Sequence, residues 1–292
     1  MKVTKFQYPL ENRLLPKLHA IFDRCTNKRR KRDAVLLFEG PEGEGKTTFS
    51  IAVAYYAAEK MKRNFSAENV FFDLYELIKF GQKTEDQIII WDEPGLNALS
   101  SDSRSSIVGD LTRFLMMARK KRHLILINIA HFNKFNDYVI VDRPVGMLKI
   151  YTDRKKDIPR FIYIPKKNLR NLWDDWRKNR RKNYFKYASK NCRGTFADIL
   201  NEDYKNNVLE DFDIDLYEKN KDDAIGQIGS KNKSKTESKL LKMQYLVSQL
   251  PKEWSFLKRS HLASFFGVDP GSVTRWSEIP EKYPKLLEIP EK

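Results

Sequence analysis

The sequence is poor in cysteine and histidine and has no long hydrophobic run. Its 292 residues include four scattered histidines and two cysteines, Cys25 and Cys192, and no metal-ligand spacing is visible among them. Two unpaired thiols in a reducing compartment are the expectation. No apolar run approaches the roughly 18 residues of a membrane span, and the N terminus lacks the apolar stretch of a secretory signal. The sequence therefore predicts a cytoplasmic protein without a membrane partner.

Basic residues are in clear excess. The chain has 55 Lys and Arg against 39 Asp and Glu, which gives a formal net charge of +16. Such a charge favours polyanions through steering and counterion release, and nucleic acid is the commonest polyanionic partner. A basic but inert surface is the alternative. A hydrophobic content of 41% with 18 Phe, 13 Tyr and 5 Trp allows a sizeable core.

The strongest motif lies between an apolar run, Ala34–Phe38, which predicts a buried strand, and an Ala-rich segment, Thr47–Met61, which predicts a helix. It satisfies G-x-x-x-x-G-K-[ST] and consists of Gly40, Pro41, Glu42, Gly43, Glu44, Gly45, Lys46, Thr47 and Thr48. In this setting the glycines turn backbone N–H groups toward a phosphate, and the helix N terminus adds partial positive charge. We expect Lys46 to reach the β- and γ-phosphates of ATP and the Thr47 hydroxyl to bind Mg²⁺.

A second nucleotide motif follows after one predicted strand and one predicted helix, the latter spanning Leu74–Phe80 and ended by Gly81. Residues 87–91 are mostly apolar and are followed directly by Asp92 and Glu93. A buried strand that ends in this way aims Asp92 at the Mg²⁺ shell. Glu93 is then placed to polarise the attacking water as a general base. Lys46 and Glu93 are therefore the predicted catalytic residues.

A third core strand is predicted at His123–His131, after a Ser-rich linker at Gly95–Ser106 and a helix at Ile107–Lys121. A polar side chain at the end of this strand would stand near the γ-phosphate, as a sensor residue does. Asn128 and His131 are the two candidates. A polar residue that only caps the strand is the alternative for either one.

The order of these elements between Ala34 and Asp142 resembles the additional-strand, catalytic-glutamate division of P-loop ATPases, which includes the RecA-like and AAA+ motors. Within that division, the motif Asp92-Glu93-Pro94-Gly95, the short Ser-rich loop and the basic helix resemble the zonular-occludens-toxin-like and FtsK/HerA-type ATPases of viruses and mobile elements. The resemblance implies an α/β fold in which a parallel sheet core is flanked by helices. It also implies ATP hydrolysis, action on DNA and, for a viral protein, a location in the host cytoplasm.

Motors of this division assemble as rings or filaments, so the resemblance implies a homo-oligomer. The AAA+ members use an arginine from a neighbouring subunit. The candidates here are Arg104, Arg113, Arg119 and Arg143, and the sequence does not select one of them.

Two strands are predicted between Met147 and Pro165, and a basic segment, Lys166–Arg193, follows them. This segment carries eleven Lys or Arg residues interleaved with five aromatic residues. Basic residues that neutralise a backbone and rings that stack on bases would make it a DNA-tracking surface. An amphipathic helix with its aromatic residues in the core is the alternative.

The C-terminal window Arg259–Glu278 has the spacing of a helix-turn-helix, in which a small residue, a turn glycine and apolar positions pack two helices together. The exposed positions of its second helix are Ser272, Thr274 and Arg275, the predicted DNA-binding residues, and Arg275 could read a guanine or contact a phosphate. A small protein-docking domain of the same shape is the alternative.

The chain therefore divides into an N-terminal helical and basic extension (1–33), a P-loop ATPase domain (34–217), a flexible linker (218–238) and an all-α helix-turn-helix domain (239–292). The leading hypothesis is a DNA-binding ATPase that couples hydrolysis to translocation, packaging, replication or transfer of DNA. The alternative is an ATP-switched, DNA-bound assembly factor or regulator that recruits a transposase, nuclease or replication protein.

Overall fold

One seven-stranded sheet organises the part of the chain that the structure describes. The computed structural model describes residues 10–92, 101–153, 155, 157–180, 182–197 and 212–226, without the side chains of residues 101–107 and 134. The strands are β1 (Ala34–Glu39), β2 (Val70–Phe71), β3 (Ile88–Trp91), β4 (Leu124–Ile129), β5 (Gly146–Asp153), β6 (Ile158–Pro165) and β7 (Arg193–Thr195). Their order across the sheet is β2-β3-β4-β1-β5-β6-β7. The first five are parallel, and β6 and β7 add an antiparallel edge.

Helices cover both faces of this sheet. They are α1 (Leu15–Thr26), α2 (Lys46–Met61), α3 (Leu74–Lys83), α4 (Ser101–Met117), α5 (Lys166–Asn179), the single turn α6 (Tyr184–Tyr187) and α7, which covers residues 214–226. The chain divides into two compact units, residues 1–225 and 226–292. None of the helices in the described segments is long and apolar enough to cross a membrane.

The central strands are buried along their whole length and are apolar except for Glu39 and Asn128, as expected of parallel strands that are covered on both faces. Alternate residues of β1 therefore join two different cores. Leu36 and Phe38 pack with α1 and α2, whereas Val35 and Leu37 pack with α3, α4 and α5. The predicted α/β class with a mostly parallel sheet is confirmed, and the predicted helix-turn-helix domain lies outside the described residues.

The position of β4 brings two distant polar residues into one row. β4 lies between β1 and β3, with Phe38 beside Asn128 on one side and Trp91 beside Ile127 on the other. Asp92 follows Trp91 directly, so it stands next to Asn128 at the carboxyl edge of the sheet. In open α/β sheets, this is the edge at which ligands bind.

Two predicted element boundaries are wrong. Gly81 does not end α3, because the helix continues to Lys83 and uses the glycine for close packing: a Cβ at Gly81 would lie 2.7 Å from the ring of Phe114. α4 begins at Ser101, inside the segment predicted as a Ser-rich linker. The helix thus starts six residues earlier than the apolar pattern indicated.

The boundaries drawn around the ATPase domain also shift. α1 buries Leu18, Ile21 and Phe22 in the same core as α2, so this part of the N-terminal extension belongs to the sheet domain. At the other end, residues 218–226 are helical and not a flexible linker. They continue α7, which docks on this core through Tyr217 and half-buried neighbours.

The aromatic residues of the basic segment are mostly turned inward. Trp173 is buried in α5, and both Trp173 and Trp176 pack against Phe132. Tyr184 reaches the same ring. Phe185, at 62% exposure, is the large exposed ring of this segment among the described residues. The alternative of an amphipathic helix with core aromatics therefore describes α5.

A buried ion pair connects the entrance of β1 to the segment before β5. The guanidinium of Arg143 pairs with the carboxylate of Asp33, and its Nε donates to the Leu115 carbonyl at 3.0 Å. Arg143 is 4% exposed and Asp33 is 1% exposed. Because Arg143 is committed to this internal pair, it is not available to act on a neighbouring subunit.

Replacing Arg143 with methionine should lower the free energy of unfolding by about 3–5 kcal/mol, because it leaves the Asp33 carboxylate buried without its cation. Denaturant unfolding of both proteins measures the change. Arg113→Met is the control, since Arg113 pairs with Asp110 from a side chain that is 72% exposed and should cost less than about 1 kcal/mol. Equal losses in the two variants would contradict a structural role for the buried pair.

Candidate functional site

The glycine loop between β1 and α2 has the backbone conformation of an anion cradle. Gly43 and Gly45 have φ values of +79° and +82°, in the left-handed region that favours glycine. A Cβ at Gly40 would lie 2.6 Å from the Ile150 carbonyl oxygen, so β5 requires a glycine there as well. The loop is anchored to β4 by the Gly40 N–H, which donates to the Ile129 carbonyl at 3.1 Å. Loops of this kind aim successive N–H groups at one point, where a phosphate binds.

The loop side chains differ in exposure. Pro41 and Glu42 are exposed and Glu44 is half-buried, whereas Lys46 and Thr48 are buried. Lys46 is the first residue of α2, and its Nζ donates to the Pro41 carbonyl at 2.7 Å. This contact folds the ammonium group back across the loop, where it adds positive charge to the N terminus of α2.

Asp92 lies at the centre of a buried hydrogen-bond cluster. The Thr47 hydroxyl donates to its carboxylate, with oxygen–oxygen distances of 2.9 and 3.1 Å. Asn128 donates from Nδ2 to Asp92 Oδ1 at 2.8 Å, and from the same nitrogen to Ser50 Oγ at 3.0 Å. Ser50 in turn donates to the Thr47 carbonyl at 2.9 Å. The cluster therefore joins the P-loop helix to β3 and β4.

A fifth residue reaches this cluster from α7. The Tyr217 hydroxyl donates to Asp92 Oδ2 at 3.2 Å and also forms a hydrogen bond with Thr47. Tyr217 is 3% exposed. Burial and the neighbouring charge of Asp92 raise the pKa of the phenol, so Tyr217 stays neutral and keeps its proton for this contact.

The donor set fits a hard cation such as Mg²⁺. Thr47 and Asp92 offer a hydroxyl and a carboxylate oxygen within 2.9 Å of each other, and oxygen ligands are what Mg²⁺ takes in nucleotide sites. Asp92 is fully buried, and its hydrogen-bond partners in the described part of the chain are neutral. The buried Oδ1 of Asn128 accepts no hydrogen bond from a described residue.

The opposite face of the sheet edge carries a separate charged cluster. Glu39, directly before the loop, is 1% exposed and pairs with Lys149 Nζ at 2.8 Å. The Tyr184 hydroxyl donates to its other oxygen at 2.7 Å, and Lys149 lies over the Tyr184 ring. This arrangement neutralises the carboxylate of Glu39 and fixes the end of β1 just before the loop.

The structure separates the two sensor candidates. Asn128 reaches Asp92 directly, whereas His131 is exposed beyond the end of β4, at the start of the short turn Phe132–Lys134. Glu93 and the predicted DNA-binding residues Ser272, Thr274 and Arg275 lie outside the described residues, and so does the side chain of Arg104. Their roles remain predictions.

Sequence reasoning did not identify three residues that the structure brings to the site or its edge. Ser50 could have been found, because it lies one helical turn after Thr47 on the P-loop helix. Glu39 is a polar residue in an otherwise apolar strand, which is also a visible signal. Tyr217 gave no signal, since it lies 125 residues from Asp92 in a mixed acidic segment.

Asn128→Ala should lower the free energy of unfolding by about 1.5–3 kcal/mol, because the charged Asp92 and the buried Ser50 both lose a donor. Denaturant unfolding checks this. The matched control is Asn168→Ala, whose amide donates to the neutral Tyr187 carbonyl at 2.7 Å and should cost about 0.5–1.5 kcal/mol. An Asn128 variant no less stable than the control would argue against the cluster.

No protein-family model matches the sequence, and no curated protein matches it either. Among solved structures, the crystal structure of the FIGL-1 AAA domain in complex with ADP is similar at 18% identity and a TM-score of 0.37. The match covers 59% of this chain and 61% of that one, so the chain spans less than two thirds of the AAA domain it resembles.

Proposed function

We propose that this chain is an ATP-hydrolysing, DNA-binding protein that acts in translocation, packaging, replication or transfer of DNA, in a virus or another mobile element. One observation carries the nucleotide part: the glycine loop, Lys46 and the Thr47–Asp92 pair converge on one edge of the sheet. The DNA part rests on the net charge and on the helix-turn-helix spacing of the C-terminal window.

The residues of the loop have separate tasks in this proposal. The N–H groups around Gly43 and Gly45 bind phosphate oxygens, and Lys46 leaves the Pro41 carbonyl to neutralise charge on the β- and γ-phosphates. Thr47 and Asp92 hold Mg²⁺, which supplies charge neutralisation at the transferred phosphate when it is bound. The loop and the helix N terminus are already formed, so binding costs little rearrangement of the loop backbone.

Hydrolysis requires a base for the attacking water. In this proposal Glu93, the residue after Asp92 in the sequence motif, is that base. Asn128 is held beside Asp92 and is the proposed sensor residue near the γ-phosphate. In this proposal, Glu93→Gln keeps nucleotide binding and stops turnover.

Two features of the sequence support DNA as the partner. The net charge of +16 supplies the electrostatic attraction that dominates binding to nucleic acid. The second helix predicted in the window Arg259–Glu278 would supply Ser272, Thr274 and Arg275 for contact with bases or phosphates. A ring or filament of identical chains is the proposed assembly, as in the ATPases that the motifs resemble.

Lys46→Ala should abolish binding of MgADP and MgATP. Ligand binding to the folded state raises its stability by about 2.7 kcal/mol at a hundredfold excess over Kd, so wild-type protein should show a rise in Tm that the variant lacks. Lys60→Ala is the matched control, because Lys60 lies at the exposed end of the same helix, with 43% of its side chain accessible. A Lys46 variant that keeps the full nucleotide-dependent rise would refute the assignment.

The DNA part predicts that duplex or single-stranded DNA raises the ATPase rate of the full chain. Arg275→Ala should weaken DNA binding by about 1–3 kcal/mol if Arg275 reads a base, and should keep the DNA-free ATPase rate. Titration at two salt concentrations and steady-state ATPase assays measure both effects. A rate that DNA leaves unchanged, together with nucleotide-dependent self-association, would identify the switched assembly factor instead of the motor.

A further inference from the structure

The Tyr217 hydroxyl contacts the two groups that are suited to hold the cation. Its oxygen lies 3.2 Å from Asp92 Oδ2 and within hydrogen-bond reach of the Thr47 hydroxyl. Thr47 and Asp92 are themselves 2.9 Å apart. The phenol oxygen therefore lies where a cation held between these two residues, or a water of its shell, would lie. A protonated phenol donates to the carboxylate, whereas a cation needs the same lone pairs for coordination.

The segment that carries Tyr217 is docked by aromatic packing. Phe212 is 5% exposed and lies against the rings of Phe65 and Tyr55, with centroid distances of 6.4 and 6.1 Å. Tyr217 packs on Phe72 at 5.6 Å. These contacts hold the phenol ring of Tyr217 against Phe72, the residue that follows β2.

The docking also depends on Asp92, because the Tyr217 hydroxyl needs the Asp92 carboxylate as its acceptor. The hydroxyl is buried and has hydrogen bonds only with groups of the cation site among the described residues. If those groups coordinate a cation, the phenol loses its acceptor, and a buried hydroxyl without a partner is costly. The hydrogen bond from Tyr217 to Asp92 and the binding of a cation by Asp92 therefore oppose each other.

We propose that Tyr217 is a latch that competes with the cation-bound nucleotide for Asp92 and Thr47, so that nucleotide binding releases segment 212–226 from the sheet domain. The inference rests on the proposed function, since it concerns regulation of the same site. α7 runs to residue 226, where the second compact unit of the chain begins. The latch thus gives nucleotide binding a direct effect on the stretch that leads into the predicted DNA-binding domain.

Linkage fixes the sign of the test, because a contact that nucleotide binding must break also weakens nucleotide binding. In the full chain, Tyr217→Phe keeps the ring on Phe72 and removes only the hydroxyl, so it should bind MgADP about tenfold more tightly than wild type. Phe212→Ala weakens the docking without touching Asp92 and should shift affinity in the same direction. The control is Tyr163→Phe, which removes a buried hydroxyl whose partner is the Val145 carbonyl at 3.5 Å and should leave the affinity unchanged.

The second readout is hydrogen exchange of the amides in 212–226 with and without MgADP. The latch predicts faster exchange in the presence of the nucleotide in wild type, and exchange in Tyr217→Phe that is already fast without it. MgADP binding with equal or lower affinity in Tyr217→Phe, and with unchanged protection of 212–226, would overturn the latch and leave the proposed function intact. Absence of MgADP binding in wild type and in Tyr217→Phe alike would overturn both.

Discussion

The buried carboxylate of Asp92 is the constraint on which the rest of this site depends. An isolated carboxylate inside a protein is costly unless hydrogen bonds surround it. Here the donors come from three parts of the chain that are far apart in sequence: Thr47 on α2, Asn128 on β4 and Tyr217 on α7. Each contact fixes one element against the end of β3. The polar cluster therefore holds the elements together at the carboxyl edge of the sheet, whereas the apolar cores hold the helices on its faces. Such a network is strong only while every member is satisfied.

The order of the strands makes the cluster possible. β4 is inserted between β1 and β3, and its register brings Asn128 level with the end of β1 and with Asp92. Asn128 would be in another row if the register changed by one residue, and its side chain would point to the other face. The same alternation sends Glu39 to the opposite face, where Lys149 neutralises it. At this sheet edge, the carboxylate of Asp92 has neutral partners, whereas that of Glu39 is paired with the ammonium group of Lys149. Of the two, only Asp92 is suited to bind a metal ion.

Much of this could be predicted from the sequence because it depends on local signals. The glycine loop, the strand that ends in Asp92 and the α/β class follow from spacing and apolar runs. The end of α3 could not be predicted, because the packing of Gly81 against Phe114 overrides its tendency to end helices. The buried role of Arg143 could not be predicted either, because it depends on the ion pair with Asp33, which is far away in the sequence. Tyr217 depends on a long-range contact in a segment without periodicity, and no local pattern encodes such a contact.

The neutral surroundings of Asp92 also bear on the proposed release of α7. In the free chain, hydroxyl and amide donors satisfy a full negative charge without cancelling it, so the site keeps its attraction for a cation. Tyr217 is the donor that comes from outside the sheet and its P-loop helix. It is held by side-chain packing on Phe72 and by the docking of Phe212 on Tyr55 of α2, not by backbone hydrogen bonds between strands. Backbone ladders fix Asn128 and Asp92, and the helix fixes Thr47, so these three residues keep their places when the charge balance changes. The contact that can yield is therefore the one made by α7, which makes this helix the natural element to respond to whatever binds at Asp92.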